Sequence, residues 1–84
     1  MVASANVVFI LSALYERLPE DRARAERYAH FEAGAICQNI ALEGVSLGLG
    51  CVPMGAFDDE KLDQLLSLDG RRENVIYLQP VGIL

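Results

Sequence analysis

The residues best placed to do chemistry are those of the segment Gly48–Phe57, which reads GLGCVPMGAF. Three glycines and a proline interrupt an apolar run that would otherwise suit a strand. Because Pro53 restricts φ and Gly55 permits unusual backbone angles, the turn that they form can present N–H and C=O groups to a planar ligand. The segment alone favours the simpler alternative, an ordinary turn between a strand and a helix.

Side chains elsewhere offer little support for catalysis. His30 and Glu32 are two residues apart on a predicted helix and point to different faces, so they make a poor acid–base pair and His30 is expected at the surface or an interface. Ser46 has no histidine at a useful spacing for a hydrolase triad. Cys51 adjoins no cation in the sequence that would activate it as a nucleophile. We therefore predict no catalytic side chain, and the spacing of Cys37, Cys51 and His30 predicts no metal site.

Size and composition indicate a single domain over residues 1–84 that needs a partner. A chain of 84 residues buries only about 60–65% of the surface that its unfolded form exposes. Its hydrophobic fraction of 52% nevertheless exceeds the roughly 45–50% of ordinary soluble domains. This surplus predicts an oligomer or a piece of a larger assembly.

Charge and hydropathy exclude several classes of function. The net charge of −5 makes nucleic acid an unsuitable ligand. No stretch approaches the roughly 20 apolar residues of a membrane-spanning helix, so no membrane partner is expected. The two cysteines fit reduced thiols, which predicts a cytoplasmic protein.

Strand and helix signals alternate along the chain. A β-branched and aromatic start followed by apolar residues predicts a first strand buried on both faces. Proline fits the first turn of a helix, and acidic residues complement its positive end. The predicted elements are a strand at 6–14, a helix opened by Pro19, Glu20 and Asp21, a short strand at 51–54, a helix capped by Asp58 or Asp59, and a strand at 74–80. In the second helix, a leucine face of Leu62, Leu65, Leu66 and Leu68 is expected to be buried, with Glu60, Lys61, Asp63 and Gln64 outside.

The long first helix has an unusual mixture of large and small residues. A strong helical pattern runs from Tyr28 to Leu47, because the following residues recur at three- and four-residue steps: Tyr28, Phe31, Ala35, Cys37–Gln38, Leu42 and Val45. Small residues accompany them at Ala29, Ala33, Gly34, Ala41 and Gly44. A glycine inside a helix costs about 1 kcal/mol relative to alanine, so close approach to another helix or to a cofactor is expected.

Two amides and one glycine complete the description of this helix. Gln38 and Asn39 must be hydrogen-bonded if they are buried, and helix–helix contact is favoured over ligand contact as their role. Gly48 is a natural C-terminal cap, because glycine adopts a positive φ without strain.

Taken in order, these features resemble the C-terminal half of the nitroreductase-family flavoproteins. The matching segments read EAGAICQNIAL at 32–42, LGLG at 47–50, VPMGAFD at 52–58 and VIYLQPVG at 75–82. The spacing of Arg27-Tyr28, Glu32, Gly34 and Gln38-Asn39 is most similar to the SagB-type dehydrogenase branch. The likeness extends from about Val7 to Gly82.

The resemblance implies a fold and a cofactor. The fold is α+β, here a truncated nitroreductase-like βαβαβ unit with a long small-residue helix packed on a small sheet. The family holds FMN at a dimer interface and transfers reducing equivalents from NAD(P)H to an organic acceptor. In it, the turn that matches Pro53, Met54, Gly55 and Ala56 lies along the flavin ring, and these four residues are the predicted cofactor contacts.

Two features of the family pattern are missing from this sequence. These are the arginine-rich N-terminal segment that grips the FMN phosphate and a C-terminal extension that adds a basic contact. Arg71 and Arg72 do not match either position and are interpreted as a solvated turn. An FMN phosphate without cationic partners loses its charge-assisted hydrogen bonds, so the FMN site is expected to be incomplete.

Three hypotheses follow. The first is an FMN-dependent oxidoreductase, or a subunit of one, that pairs with itself or with another chain. The second is a non-catalytic dimerisation module of the same family that no longer binds flavin, with Gly34 and Ala41 at close approach. The third is a fragment or gene remnant of a longer enzyme.

Overall fold

Three antiparallel strands and one long helix make up most of the molecule. The computed structural model describes residues 5–18 and 21–83. The elements are strand β1 (Val7–Leu14), a 3₁₀ turn (Tyr15–Arg17), helix α1 (Arg22–Ser46), strand β2 (Leu49–Cys51), helix α2 (Asp59–Leu65) and strand β3 (Glu73–Ile83). The strand order is β1-β3-β2, and both pairings are antiparallel. The predicted α+β class and element order are confirmed.

The ends of α1 follow its capping residues. The Asp21 side chain accepts a hydrogen bond from the Arg24 N–H at 3.1 Å, which caps the first turn. Pro19 and Glu20, also predicted to open this helix, lie outside the described residues. Gly48 follows the last turn with a φ of +74°, as expected for a glycine that ends a helix.

Small residues form the face of α1 that packs on the sheet. The residues of α1 that are buried are Ala25, Ala29, Ala33, Cys37 and Gly44. A Cβ built on Gly44 would lie 3.6 Å from Cys51 Sγ and 3.7 Å from the Leu49 carbonyl oxygen, so the helix runs close to β2. The close approach that the glycines predicted is therefore made to a strand. At Gly34, by contrast, an added Cβ would meet no atom within 4 Å.

The prediction that β1 is buried on both faces is wrong. Val7, Phe9 and Ile10 are 53%, 43% and 38% exposed. The cause is that α1 packs mainly against β2 and β3, so much of the edge strand β1 has no covering layer among the described residues. Its apolar residues therefore stay open to solvent or to a partner.

The short middle strand lies earlier than predicted. It spans Leu49–Cys51 instead of 51–54, and it pairs with the last residues of β3, which extend that strand to Ile83. Pro53 has no N–H to give to a ladder, so regular pairing stops before it. Pairing resumes only as a single bridge between Met54 and Leu78.

The outward placement predicted for Asp63 is also wrong. Asp63 is only 8% exposed, and its Oδ1 accepts a hydrogen bond from the Val75 N–H at 2.9 Å. A carboxylate supplies an acceptor for a buried amide of β3, which an apolar side chain could not do. The leucine face is not buried as a unit, because α2 ends at Leu65 and that side chain is 73% exposed.

Candidate functional site

A cleft of about 280 Å³ lies between the middle of α1, strand β3 and the turn that follows β2. It brings the predicted turn next to the small and polar residues of the helix. The lining residues are Gly34, Cys37, Gln38, Ala41, Pro53 and Tyr77. The sequence placed Pro53 at a site, and the fold adds the helix residues that face it.

Hydrogen bonds to β3 fix the turn on both sides of Pro53. The Val52 N–H donates to the Pro80 carbonyl oxygen at 3.3 Å. The Met54 N–H donates to the Leu78 carbonyl oxygen at 2.6 Å, and the Leu78 N–H donates to the Met54 carbonyl oxygen at 2.9 Å. The backbone of Met54 is therefore committed to the sheet.

Only two of the four predicted contact residues can offer an N–H to a ligand. Pro53 has none, and that of Met54 is already used. Gly55 and Ala56 are exposed, and within residues 5–18 and 21–83 their N–H groups have no hydrogen-bond partner. These two amides are the unpaired donors of the turn.

The Tyr77 ring contacts the turn at Gly55. A Cβ built on Gly55 would lie 3.4 Å from Tyr77 Cε1, so the ring contacts the turn closely at the position where glycine occurs. The sequence argument did not select Tyr77. No local feature of the sequence marked it, because its contact with the turn joins segments that are distant along the chain.

The two amides predicted on α1 are both exposed in the described chain. Gln38 lines the cleft, whereas Asn39 lines a different groove between α1 and the sheet. Neither side chain needs an internal hydrogen-bond partner, and Gln38 is free to contact a molecule in the cleft.

A buried polar contact lies next to the cleft. Gln79 is fully buried, and its Nε2 donates to the Cys37 carbonyl oxygen at 3.0 Å. Its Oε1 has no hydrogen-bond partner among the described residues. Burial, with a smaller contribution from Cys51, raises the pKa of the Cys37 thiol, so this sulfur stays protonated at neutral pH. Cys37 is thus an unreactive thiol, and both cysteines are free.

The remaining candidate side chains have structural roles. His30 Nδ1 lies 2.7 Å from the Glu26 carbonyl oxygen on the helix surface, and the Ser46 hydroxyl donates to the Glu43 carbonyl oxygen at 2.8 Å. Arg71 and Arg72 are exposed, as the sequence indicated. Their N–H groups donate to Asp69 Oδ1, and the exposed Arg72 guanidinium lowers the pKa of Glu16.

The cleft offers neutral polar groups that can contact a planar heterocycle, and a phosphate would find no cationic partner among its lining residues. One primary amide and one phenol ring line the cleft, and that ring contacts the turn that carries the two unpaired N–H groups. None of the cleft's lining residues is charged. In the described part of the chain, no group of three or more His, Cys, Asp or Glu side chains is arranged to hold a metal ion.

A long helix on a small antiparallel sheet, with a cleft at the turn after β2, is an α+β arrangement that matches the nitroreductase-like fold. The chain belongs to the nitroreductase family, whose model matches residues 1–83. Membership in this family supports an oxidoreductase-like function. Proteins of the family typically use flavin and generally form dimers.

Two proteins illustrate the relationship. The protein named "Putative nitroreductase MJ1384" of Methanocaldococcus jannaschii is 40% identical over 82 residues, which are 96% of this chain and 40% of that protein. The crystal structure described as a putative nitroreductase from Ralstonia eutropha JMP134 superposes with a TM-score of 0.81 at 28% identity. The superposition covers 90% of this chain and 36% of the Ralstonia eutropha chain. The chain thus spans less than half the length of either relative.

Across the described residues, none of the helices combines the length and apolar character needed to cross a membrane.

Proposed function

We propose that this chain provides the ring-binding half of an FMN-dependent oxidoreductase site. The observation that carries the proposal is the pair of unpaired N–H donors at Gly55 and Ala56, next to the cleft that Gln38 and Tyr77 line. Backbone donors of this kind commonly fix the orientation of a flat cofactor.

The residues of the chain would hold and orient the cofactor. Gly55 and Ala56 would donate to acceptor atoms along the ring edge, and Gln38 would add an adjustable amide from α1. Tyr77 would keep the turn in place. A bound FMN supplies the transfer of reducing equivalents from NAD(P)H to an organic acceptor, while the protein supplies placement.

The FMN phosphate would be bound by residues outside the cleft. No residue that lines it carries a positive charge, and Arg22 and Arg72 are paired with Glu26 and Glu16. The chain would act in the cytoplasm as a homodimer or with a hetero-subunit partner, and the missing cations would come from the hetero-subunit, since a homodimer contains only this chain. The same lack of charge motivates the alternative hypothesis of a non-catalytic dimerisation module. That hypothesis predicts no flavin binding.

The amide of Gln38 gives a direct test. We expect Gln38→Ala to weaken riboflavin binding by about 3- to 10-fold, because one hydrogen bond contributes about 0.5–1.5 kcal/mol. Quenching of riboflavin fluorescence measures the affinity.

Asn39→Ala is the matched control, since it removes the neighbouring exposed amide, which does not line the cleft. The affinity of this variant for riboflavin should equal that of the unmodified chain. Equal losses in the two variants would show that the amide of Gln38 has no specific role at the cleft.

A further inference from the structure

A groove separate from the cleft runs between α1 and the sheet, on the side of β1. It consists of two cavities of about 400 and 390 Å³, which share Ile36 as a lining residue and have none in common with the cleft. We call it the side groove. Phe9 and Ile10 contribute to its sheet side, and its wall on α1 contains Glu32, Ile36, Asn39, Ile40, Glu43 and Leu47.

Large apolar side chains on both sides of the side groove are open. Ile36 is 46% exposed on α1, Leu47 is 64% exposed near the end of the groove, and Phe9 and Ile10 are exposed on β1. Apolar side chains that converge on one groove, with polar residues at its rim, are typical of an interaction site.

The dimensions of the sheet indicate which kind of element would cover this groove. A helix is about 10 Å wide and neighbouring strands are about 4.8 Å apart, so one helix covers about two strands. Helix α1 packs mainly against β2 and β3, which leaves much of β1 without a helix over it in the described chain. The groove extends along α1 from Ala29 to Leu47, roughly 27 Å, which suits a second helix of about 18 residues beside α1.

The charged residues of the side groove are acidic. Glu32, Ile36, Asn39 and Glu43 follow one another at steps of four, three and four residues, which places them on one face of α1. Both carboxylates are exposed, and within residues 5–18 and 21–83 neither belongs to an ion pair. No basic residue lines either cavity. A partner with two basic side chains about 16 Å apart would match these carboxylates along the helix.

We propose that the side groove binds an amphipathic helix of another polypeptide. Its apolar face would lie against Ile36 and Phe9, and two basic side chains would lie opposite Glu32 and Glu43. Helices of this kind bind grooves through apolar anchors at three- and four-residue steps. A second copy of this chain fits less well, because its net charge of −5 would bring like charges together. Since the groove and the cleft share no lining residue, the proposal does not depend on flavin.

A pair of synthetic peptides tests the docking. Each is a fluorescein-labelled helix of about 18 residues with leucines at three- and four-residue steps. The two differ only at two flanking positions eleven residues apart, which hold arginine in one peptide and glutamate in the other. Fluorescence anisotropy with the purified chain should show the arginine peptide binding at least about 10-fold more tightly. No binding of either peptide, or equal binding of both, would overturn the proposal.

Ile36 is the expected central contact, because it lines both cavities. Ile36→Gln should weaken binding of the arginine peptide by at least about 10-fold, as expected for an apolar anchor at the centre of an interface. Leu42→Gln is the matched control, since that side chain is 60% exposed on the same helix and lines neither cavity. Its binding should be unchanged. A loss in Leu42→Gln as large as that in Ile36→Gln would place the peptide on another face of α1.

Paired charge substitutions test the role of the carboxylates. Glu32→Gln combined with Glu43→Gln should weaken binding of the arginine peptide by at least about 5-fold. Asp59→Asn combined with Glu60→Gln removes two charges from exposed positions on α2 and should leave binding unchanged. Equal losses in the two double variants would show that only the overall charge matters, which is the opposite of a defined site.

Sedimentation equilibrium distinguishes this partner from a second copy. Ile36→Gln should leave the association state of the chain unchanged. Self-association that this substitution abolishes would assign the side groove to a second copy and overturn the proposal. Gln38→Ala should bind the arginine peptide as tightly as the unmodified chain does, so failure of the proposed flavin site would leave this result intact.

Discussion

Ala33→Leu should destabilise the folded chain by about 1–3 kcal/mol, the usual result of forcing extra methylenes into a packed site. Ala33 is only 2% exposed on the face of α1 that lies against the sheet. The larger side chain would crowd the contact between the helix and the sheet at this point, since the neighbouring contacts on this face are also made by small residues.

Ala23→Leu makes the same chemical change on the same helix at an exposed position. Urea unfolding measures the stability of both variants. The free energy of unfolding of Ala23→Leu should differ little from that of the unmodified chain. Equal destabilisation of the two would mean that leucine itself, and not its burial at position 33, is responsible.

Gln79→Ala should lower the free energy of unfolding by about 2–4 kcal/mol, which is in the range of other large-to-small core substitutions. Gln79 is fully buried between β3 and α1, and its amide donates to the Cys37 carbonyl oxygen. The substitution would remove that hydrogen bond and leave a cavity directly beside the cleft. Thermal or urea unfolding measures the loss.

Gln79→Met separates the two contributions. It keeps most of the volume and also removes the buried Oε1, which has no hydrogen-bond partner among residues 5–18 and 21–83. We expect the free energy of unfolding of this variant to be within about 1 kcal/mol of that of the unmodified chain. A loss as large as that of Gln79→Ala would show that the hydrogen bond, and not packing, joins the strand to the helix.

Local signals in the sequence were enough to locate most elements. Asp21, Gly48 and Asp58 mark helix ends through caps that depend only on nearby residues. The position of the cleft turn at Pro53 was also found, because proline and glycine act on their own backbone.

What the sequence could not give were contacts between distant segments. Asp63 is buried because β3 brings the Val75 amide to it, and the charge pattern of α2 contains no sign of that amide. Met54 loses its free N–H to Leu78 for the same reason. Periodicity found both faces of α1 but could not tell which one meets the sheet, since small and large residues each recur at helical spacing.

These contacts give a consistent account of what the chain contributes. The small-residue face of α1 docks on the sheet and positions Gln38 over the turn, while hydrogen bonds to β3 hold that turn in place. The cleft offers neutral hydrogen-bond donors and no cation. The proposed role is therefore to hold a flavin ring, with the phosphate held by other residues.

The most direct test of this account is a side-by-side titration of the purified chain with riboflavin and FMN, followed by flavin fluorescence. Both should bind, with affinities that differ by less than about threefold, because a single hydrogen bond to a charged phosphate would already add roughly 1.5–3 kcal/mol for FMN. Failure of either flavin to bind would contradict the ring site. Much tighter binding of FMN would show that this chain holds the phosphate itself.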